Sequence, residues 1–241
     1  MRVLVLLIAL GGCSVLDALV IVPVASSPAP NAVGVDVDGE GGMWLAFREP
    51  ALDYYAYVDV RVAHVAADGT TLAEFHYGDE FTKVSGLAFT GDAVWLSYNG
   101  SNDRIRKLDP ATGAELGSFA TERGITDLSS RAGVLLLSNL WNELIAIDRG
   151  RGGEMWRSHI DAFDEGGTQR GIAAAGGDLT YVLAQATDRL YLVDDAGNVA
   201  GSGAMPDFDS SYEPETDQLA LDGDNLIALH RGQILRYRVM R

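Results

Sequence analysis

The chain has 241 residues, 47% hydrophobic and 22% charged, which suits one large domain or two small ones and argues against disorder. Its 34 acidic and 18 basic residues leave a formal net charge of −16, which opposes binding to nucleic acid or to anionic lipid. A single cysteine excludes an intrachain disulfide, and 28 glycines against 7 prolines suit many tight turns.

The first element is an apolar run from Val3 to Leu10, preceded by Arg2 and followed by Gly11, Gly12 and Cys13. The run is too short to span a bilayer. Asp17 argues against an anchor continuing through Val24, because a carboxylate at bilayer depth is costly. The stretch Leu10-Gly11-Gly12-Cys13 resembles the lipobox of bacterial lipoproteins. That resemblance implies a signal peptide over residues 1–12 and a lipidated Cys13 as the mature N-terminus. Ser14 after the cysteine implies the outer membrane by the enterobacterial sorting pattern. The expected address is therefore the cell envelope, lipid-anchored, periplasmic or surface-exposed.

Next come five similar stretches: VGVDVDGEGGMWLAF, GLAFTGDAVWLSY, ITDLSSRAGVLLLSN, GIAAAGGDLTYVLAQ and QLALDGDNLIALHRG. Each is an apolar strand, a turn rich in Gly and Asp, and a second apolar strand. Trp44, Trp95, Leu136, Tyr181 and Ile227 fall at or near one place in the repeat. A third strand follows each, often closing on an apolar residue and Asp, and a fourth follows most. Four antiparallel strands repeated in this way predict an all-β fold, a β-propeller of five four-stranded blades. The last copy stops after its third strand, so Asp17 to Ala25 is expected to supply the missing outer strand and close the ring. Ser26 to Asn31 then form the crossover, residues 13–32 the lipidated N-terminus with its closing strand, and residues 33–241 the propeller. Six blades would follow if the insertion between Arg48 and Asp59 held a further hairpin.

Asp36, Asp38 and Glu40 lie at calcium-loop spacing. Read as an EF-hand the stretch fails twice, with Glu40 at the fifth position and Phe47 where a bidentate Glu is required. A hairpin turn is expected instead.

The segment AIDRGRGGEMW, with Ala146, Asp148, Gly152 and Trp156, resembles pyrroloquinoline-quinone-like repeats, and KLDPATGAELG keeps Asp109, Thr112 and Gly113 of that pattern. The resemblance implies a propeller of the WD40/YVTN-like kind, in which the Trp docks one blade on the next. It does not imply the quinone. A second resemblance, to the five-bladed bacterial glutaminyl cyclotransferases, rests on FTKVSGLAFTGDAVW and TDQLALDGDNL. That family carries a Glu near the channel where this chain has Ala88 and Ala220, and amide cyclisation needs a proton-shuttling acid.

Inter-blade loops and the connections between second and third strands share one face of a propeller, the usual seat of function. The inter-blade loops YGDEFTKVS, ATERG, DAFDEGGTQR and MPDFDSSYEPETDQ are strongly acidic. The candidate binding face is expected to present Tyr54, Tyr55, Tyr57, Tyr98 and Trp141 with Asp127, Arg170 and Asp217. Exposed aromatics beside carboxylates suit the Arg and Lys of a basic peptide or partner protein. Asp207, Asp209, Glu213, Glu215 and Asp217 are weak candidates for calcium, the one cofactor considered. His64, His76, His159 and His230 lack metal-ligand spacing, and no nucleophile elbow or phosphate loop is present. Asp36, Asp127 and Asp217 are the carboxylates open to a glycosidase reading.

These readings predict a monomeric, lipid-anchored propeller acting as a non-enzymatic interaction or ligand-binding scaffold. It resembles propeller lipoproteins of outer-membrane assembly machinery at fold level. The alternative is a propeller enzyme, cyclotransferase-like or glycosidase, working at the channel mouth.

Overall fold

The computed structural model describes residues 17–48, 60–77, 84–98, 103–121, 124–163, 169–184, 187–206, 208 and 218–240. Blade 1 comprises β3 (Ala32–Val37), β4 (Met43–Arg48), β5 (Val60–Val65) and β6 (Thr71–Tyr77). Blade 2 comprises β7 (Val84–Phe89), β8 (Val94–Tyr98), β9 (Arg104–Leu108) and β10 (Glu115–Ala120). Blade 3 holds β11 (Ile125–Arg131), β12 (Val134–Asn139), β13 (Glu143–Asp148) and β14 (Glu154–His159). Blade 4 holds β15 (Gln169–Gly176), β16 (Leu179–Ala184), β17 (Arg189–Asp194) and β18 (Val199–Ala204). Blade 5 is built from β19 (Gln218–Asp222), β20 (Asn225–His230), β21 (Gln233–Met240) and, from the other end of the chain, β2 (Val20–Pro28).

Within each blade neighbouring strands are antiparallel, and the five inner strands β3, β7, β11, β15 and β19 abut in a ring that closes from β19 back to β3. The protein is therefore a five-bladed β-propeller closed by an N-terminal strand. The closure has a second clasp. β1 (Asp17–Ala18) adds a parallel fifth strand to blade 4 beside β18 before the chain crosses into blade 5. Ser26 to Pro28 continue β2, so the crossover into blade 1 is shorter than the sequence suggests. β4 pairs directly with β5 from Met43–Val65 to Arg48–Val60, which makes residues 49–59 a connection inside blade 1 and removes the six-bladed alternative.

The core consists of five apolar clusters, one in each seam between adjacent blades. A middle strand is buried on both faces, so it reads as a continuous apolar run instead of alternating. β12, with VLLLS, is the plainest case. The register confirms the repeat: Trp44, Trp95, Leu136, Tyr181 and Ile227 stand opposite Asp36, Ala88, Ser129, Ala173 and Ala220, all five buried at the same rung. Each such burial contributes about 2–3 kcal/mol.

Asp residues set the hairpins between third and fourth strands. The Asp109 carboxylate accepts the N–H groups of Ala111 and Thr112, Asp148 those of Gly150 and Arg151, and Asp194 those of Ala196 and Asn198. Gly113 and Gly152 sit in these turns at φ of +71°, and a Cβ at either would collide with Phe75 or Phe119 of the preceding blade. Blade docking there relies on phenylalanine against glycine, while Trp156 is half-buried in the seam between blades 3 and 4. The opening hairpin follows the same chemistry. Asp38 Oδ1 accepts N–H bonds from Glu40 and Gly42 at 2.7 and 2.9 Å, and its Oδ2 lies 2.8 Å from His64 Nε2. Asp36 belongs to strand β3 and not to the turn.

Candidate functional site

An inner strand has a ladder partner on one side only, so its other edge turns unsatisfied N–H and C=O groups toward the axis. The rung of Gly34, Gly86, Asp127, Gly171 and Gln218 deals with this edge, since these five pair with equivalent positions of the second strands. The three glycines let the next blade approach: a Cβ at Gly86 would lie 2.5 Å from the Leu128 nitrogen, and one at Gly34 or Gly171 would press on Leu87 or Leu219. The two remaining side chains reach across. Asp127 Oδ1 accepts from its neighbour Leu128 at 2.7 Å, while Oδ2 accepts the N–H groups of Ile172 in blade 4 at 2.8 Å and Leu219 in blade 5 at 3.3 Å. Gln218 Oε1 accepts the Val35 N–H of blade 1 at 3.2 Å, and Nε2 donates to the Ser85 carbonyl of blade 2 at 2.5 Å. Asp127 thus ties blades 3, 4 and 5, and Gln218 ties blades 5, 1 and 2.

One rung along, Asp36 Oδ2 accepts the Phe89 N–H of blade 2 at 2.6 Å and Oδ1 that of Val37 at 2.8 Å. Ser129 Oγ accepts from Ala174 at 3.1 Å, again blade 3 to blade 4. Burial pushes the Asp36 carboxyl up to about 7 despite the two N–H donors that pull it down. Burial also raises Asp127 well above the usual carboxylate range, against its three donors, with Asp36 adding a smaller push in the same direction. Asp36 can hold a proton near neutrality. Asp127 is fully buried and Asp36 partly so, and every carboxylate oxygen of the two accepts a backbone N–H.

The expected face fares unevenly. Cys13, Tyr54, Tyr55, Tyr57, Asp207, Asp209, Glu213, Glu215 and Asp217 lie outside the described residues, as does the side chain of Arg170, whose backbone belongs to β15. Asp127 is completely buried and so forms no part of an open face. Tyr98 is only 3% exposed. It is in phase with Val94 and Leu96 on β8, which sends it into the seam with blade 1, and burial raises its phenol. Ala88 and Ala220 pack in inter-blade clusters. Among the described residues no three His, Cys, Asp or Glu side chains converge as metal ligands would.

Trp141 does stand on the face, 53% exposed, beside Leu140 at 46%. Both occupy the β12–β13 turn, next to the inter-blade connection: the Leu140 N–H donates to the Gly124 carbonyl at 2.9 Å, and the Trp141 ring covers Gly124. The turn is rigid by hydrogen bonding. Asn139 Oδ1 accepts the N–H groups of Trp141 and Glu143, its Nδ2 donates to Glu143 Oε2 at 2.6 Å, and Arg157 Nη1 donates to the same oxygen at 2.9 Å. Asn139 and Arg157 also line a cleft of about 280 Å³ between blades 2 and 3, floored by Ile125, Leu137 and Ile145. Sequence reasoning missed Leu140, Asn139 and Gln218. The SNLWNE stretch, two apolar residues inside a polar turn, carried the signal for the first two.

No family model matches the chain, and no curated relative does. Solved structures match in fold. Myxococcus xanthus glutaminyl cyclase superposes with a TM-score of 0.68 at 12% identity, over 92% of this chain and 97% of that one. A Bacteroides caccae protein of unknown function gives 0.55 at 12% identity, over 82% and 69%. The β-propeller domain of Cps50 (Swd1) from Myceliophteria thermophila gives 0.52 at 10% identity, over 86% and 64%. At such identities the likeness is one of fold: this chain is a β-propeller built like that of the cyclase.

Proposed function

We propose that the protein is a non-enzymatic binding module, held at the bacterial cell envelope by acyl chains on Cys13, that takes a basic, partly apolar segment of a partner protein on its loop face. One observation carries the reading. Leu140 and Trp141 are held out to solvent on a hydrogen-bonded turn of that face, whereas the polar groups of the axis are committed to joining blades. A preorganised exposed Trp is a common anchor at interfaces. The inter-blade segments of the sequence hold eleven acidic residues against three basic ones, counted over residues 77–85, 120–124, 161–170 and 205–218. This complements Lys and Arg.

The test is a cross-linked pull-down from native membranes with the full chain as bait. Two controls are used, Leu140→Ser with Trp141→Ser, and Tyr54, Tyr55 and Tyr57 all to Ser. A stoichiometric partner lost in the first control supports the reading, and loss in the second as well extends the face to the insertion. A partner retained by both, or none captured, sinks it.

The second reading is an enzyme at the channel mouth, favoured by the overall likeness to a glutaminyl cyclase. Asp36 occupies in blade 1 the rung held by Ala88 and Ala220 in blades 2 and 5, and its carboxyl near 7 has the right acidity for proton transfer. Both of its oxygens already accept backbone N–H groups, which argues for the binding role. Ammonia release from an N-terminal glutaminyl peptide, lost in Asp36→Ala, would reverse the preference.

A further inference from the structure

A lipid on Cys13 would fix one end of the chain to the membrane, and the outer strands of blade 5 indicate which side then meets the bilayer. We propose that the outer corner formed by Val20, Val22, Arg238 and Met240 rests on the phospholipid surface; the inference depends on acylation of Cys13. In the β2–β21 ladder Val20 stands opposite Met240 and Val22 opposite Arg238. Directly opposed residues of an antiparallel pair project from one face, so the four form a single block. Val20, Val22 and Met240 are 51%, 41% and 45% exposed, and Arg238 is exposed beside them without an ion pair among the described residues.

The block differs from the other exposed apolar side chains of the outer strands. Leu72, Leu116, Met155 and, further along β2, Val24 each stand at a β-bulge, one per blade, and single exposed hydrophobics need no cover. The charge within the block is that of Arg238, with Asp224 close by through its carbonyl, which accepts the Val239 N–H at 3.2 Å. Headgroup phosphates suit that cation, and an Arg beside valines can lay its stem on the apolar interface while its guanidinium meets phosphate.

Reach agrees with charge. Four Cα steps separate Cys13 from Asp17, at most roughly 14 Å at full extension. Asp17 and Ala18 are pinned to β18, adjacent to the strand that bears Val20 and Val22. The anchor therefore draws the seam of blades 4 and 5 toward the membrane and leaves the loop face turned away from the anchored edge.

The experiment uses the full chain purified with its native N-terminus, whose mass reports acylation. Met240→Cys and Leu116→Cys variants, each labelled with an environment-sensitive fluorophore, are placed in phosphatidylethanolamine–phosphatidylglycerol vesicles doped with nitroxide lipid. Quenching at position 240 should exceed that at position 116 by about threefold, and Arg238→Glu should reduce it by about half. Equal quenching at both positions, or none at either, on acylated protein overturns the orientation and leaves the anchor standing. A mass without acyl chains overturns the anchor and this inference together.

Discussion

Asp127 and Trp141 belong to the same blade, yet their environments are opposite. Asp127 is a charged residue type at zero exposure on the inner strand, with both carboxylate oxygens bonded to three backbone N–H groups. Trp141 is an apolar residue type more than half exposed on the turn between the second and third strands. A propeller must satisfy the free edges of five inner strands at its axis, and polar side chains there do so at the cost of their reactivity. The turns carry no such duty and can hold side chains out to a partner. The contrast separates closure of the ring from its use, and four tests probe that separation.

Asp127→Ala should have the largest effect. It removes the acceptor of three N–H groups in a site without water access, and each unsatisfied donor costs about 1–3 kcal/mol. A loss of about 5 kcal/mol is expected, read from urea midpoints. A loss below about 1 kcal/mol would mean that the blades close without this tie.

Asp36 supplies a pH test with a definite sign. Its carboxyl stands at about 7 in the folded chain against an ordinary value of 3.8, so the folded state holds the proton over that interval and the unfolded chain does not. The contribution is fully present below pH 4 and is lost as pH rises to 7, by at most roughly 4 kcal/mol. Asp127 acts in the same direction. Stability of the wild type should thus fall between pH 4 and 7, and Asp36→Asn should flatten part of that slope although it surrenders one acceptor. An unchanged slope in the variant would place the titration elsewhere.

Glycines sharpen the contrast between axis and rim. A Cβ at Gly86 would meet backbone atoms of Leu128 and Asp127, whereas at Gly117 on the outer strand β10 it would meet nothing within 4 Å. Gly86→Ala should therefore cost about 2 kcal/mol, and Gly117→Ala should be neutral or stabilise by about 0.5 kcal/mol through the unfolded chain. Equal effects in chemical denaturation would show that the inner strands can spread apart at little cost.

Much of this architecture is legible in the sequence, because the paired apolar strands with Asp and Gly between them repeat five times. Trp44, Trp95 and Tyr181 mark one rung even without coordinates. The ring closure is legible too, since the last copy lacks its outer strand. The axis is not. Bulges at the starts of β3, β7, β11 and β15 interrupt the two-residue alternation, so Asp127 and Gln218 do not announce that they share a rung with Gly34, Gly86 and Gly171. Tyr98 was legible in principle: its phase with Val94 and Leu96 outweighs the polar loop that follows it.

The smallest expected change in stability belongs to Trp141→Ser. The indole loses its contact with Gly124, but the Asn139 bonds that hold the turn run to the backbone and survive the substitution. More than half of the ring is already in water, so little burial is forfeited, and the folding midpoint should shift by about 0.5 kcal/mol or less. Stability that falls by 2 kcal/mol or more would make Trp141 a packing residue of the blade 2–3 seam and deprive the loop face of its anchor. A near-neutral result gives a variant that folds as the parent does, so any partner it loses is lost at the surface. Asp127→Ala would lose a partner through unfolding of the ring, which is the difference between the two positions expressed in a binding assay.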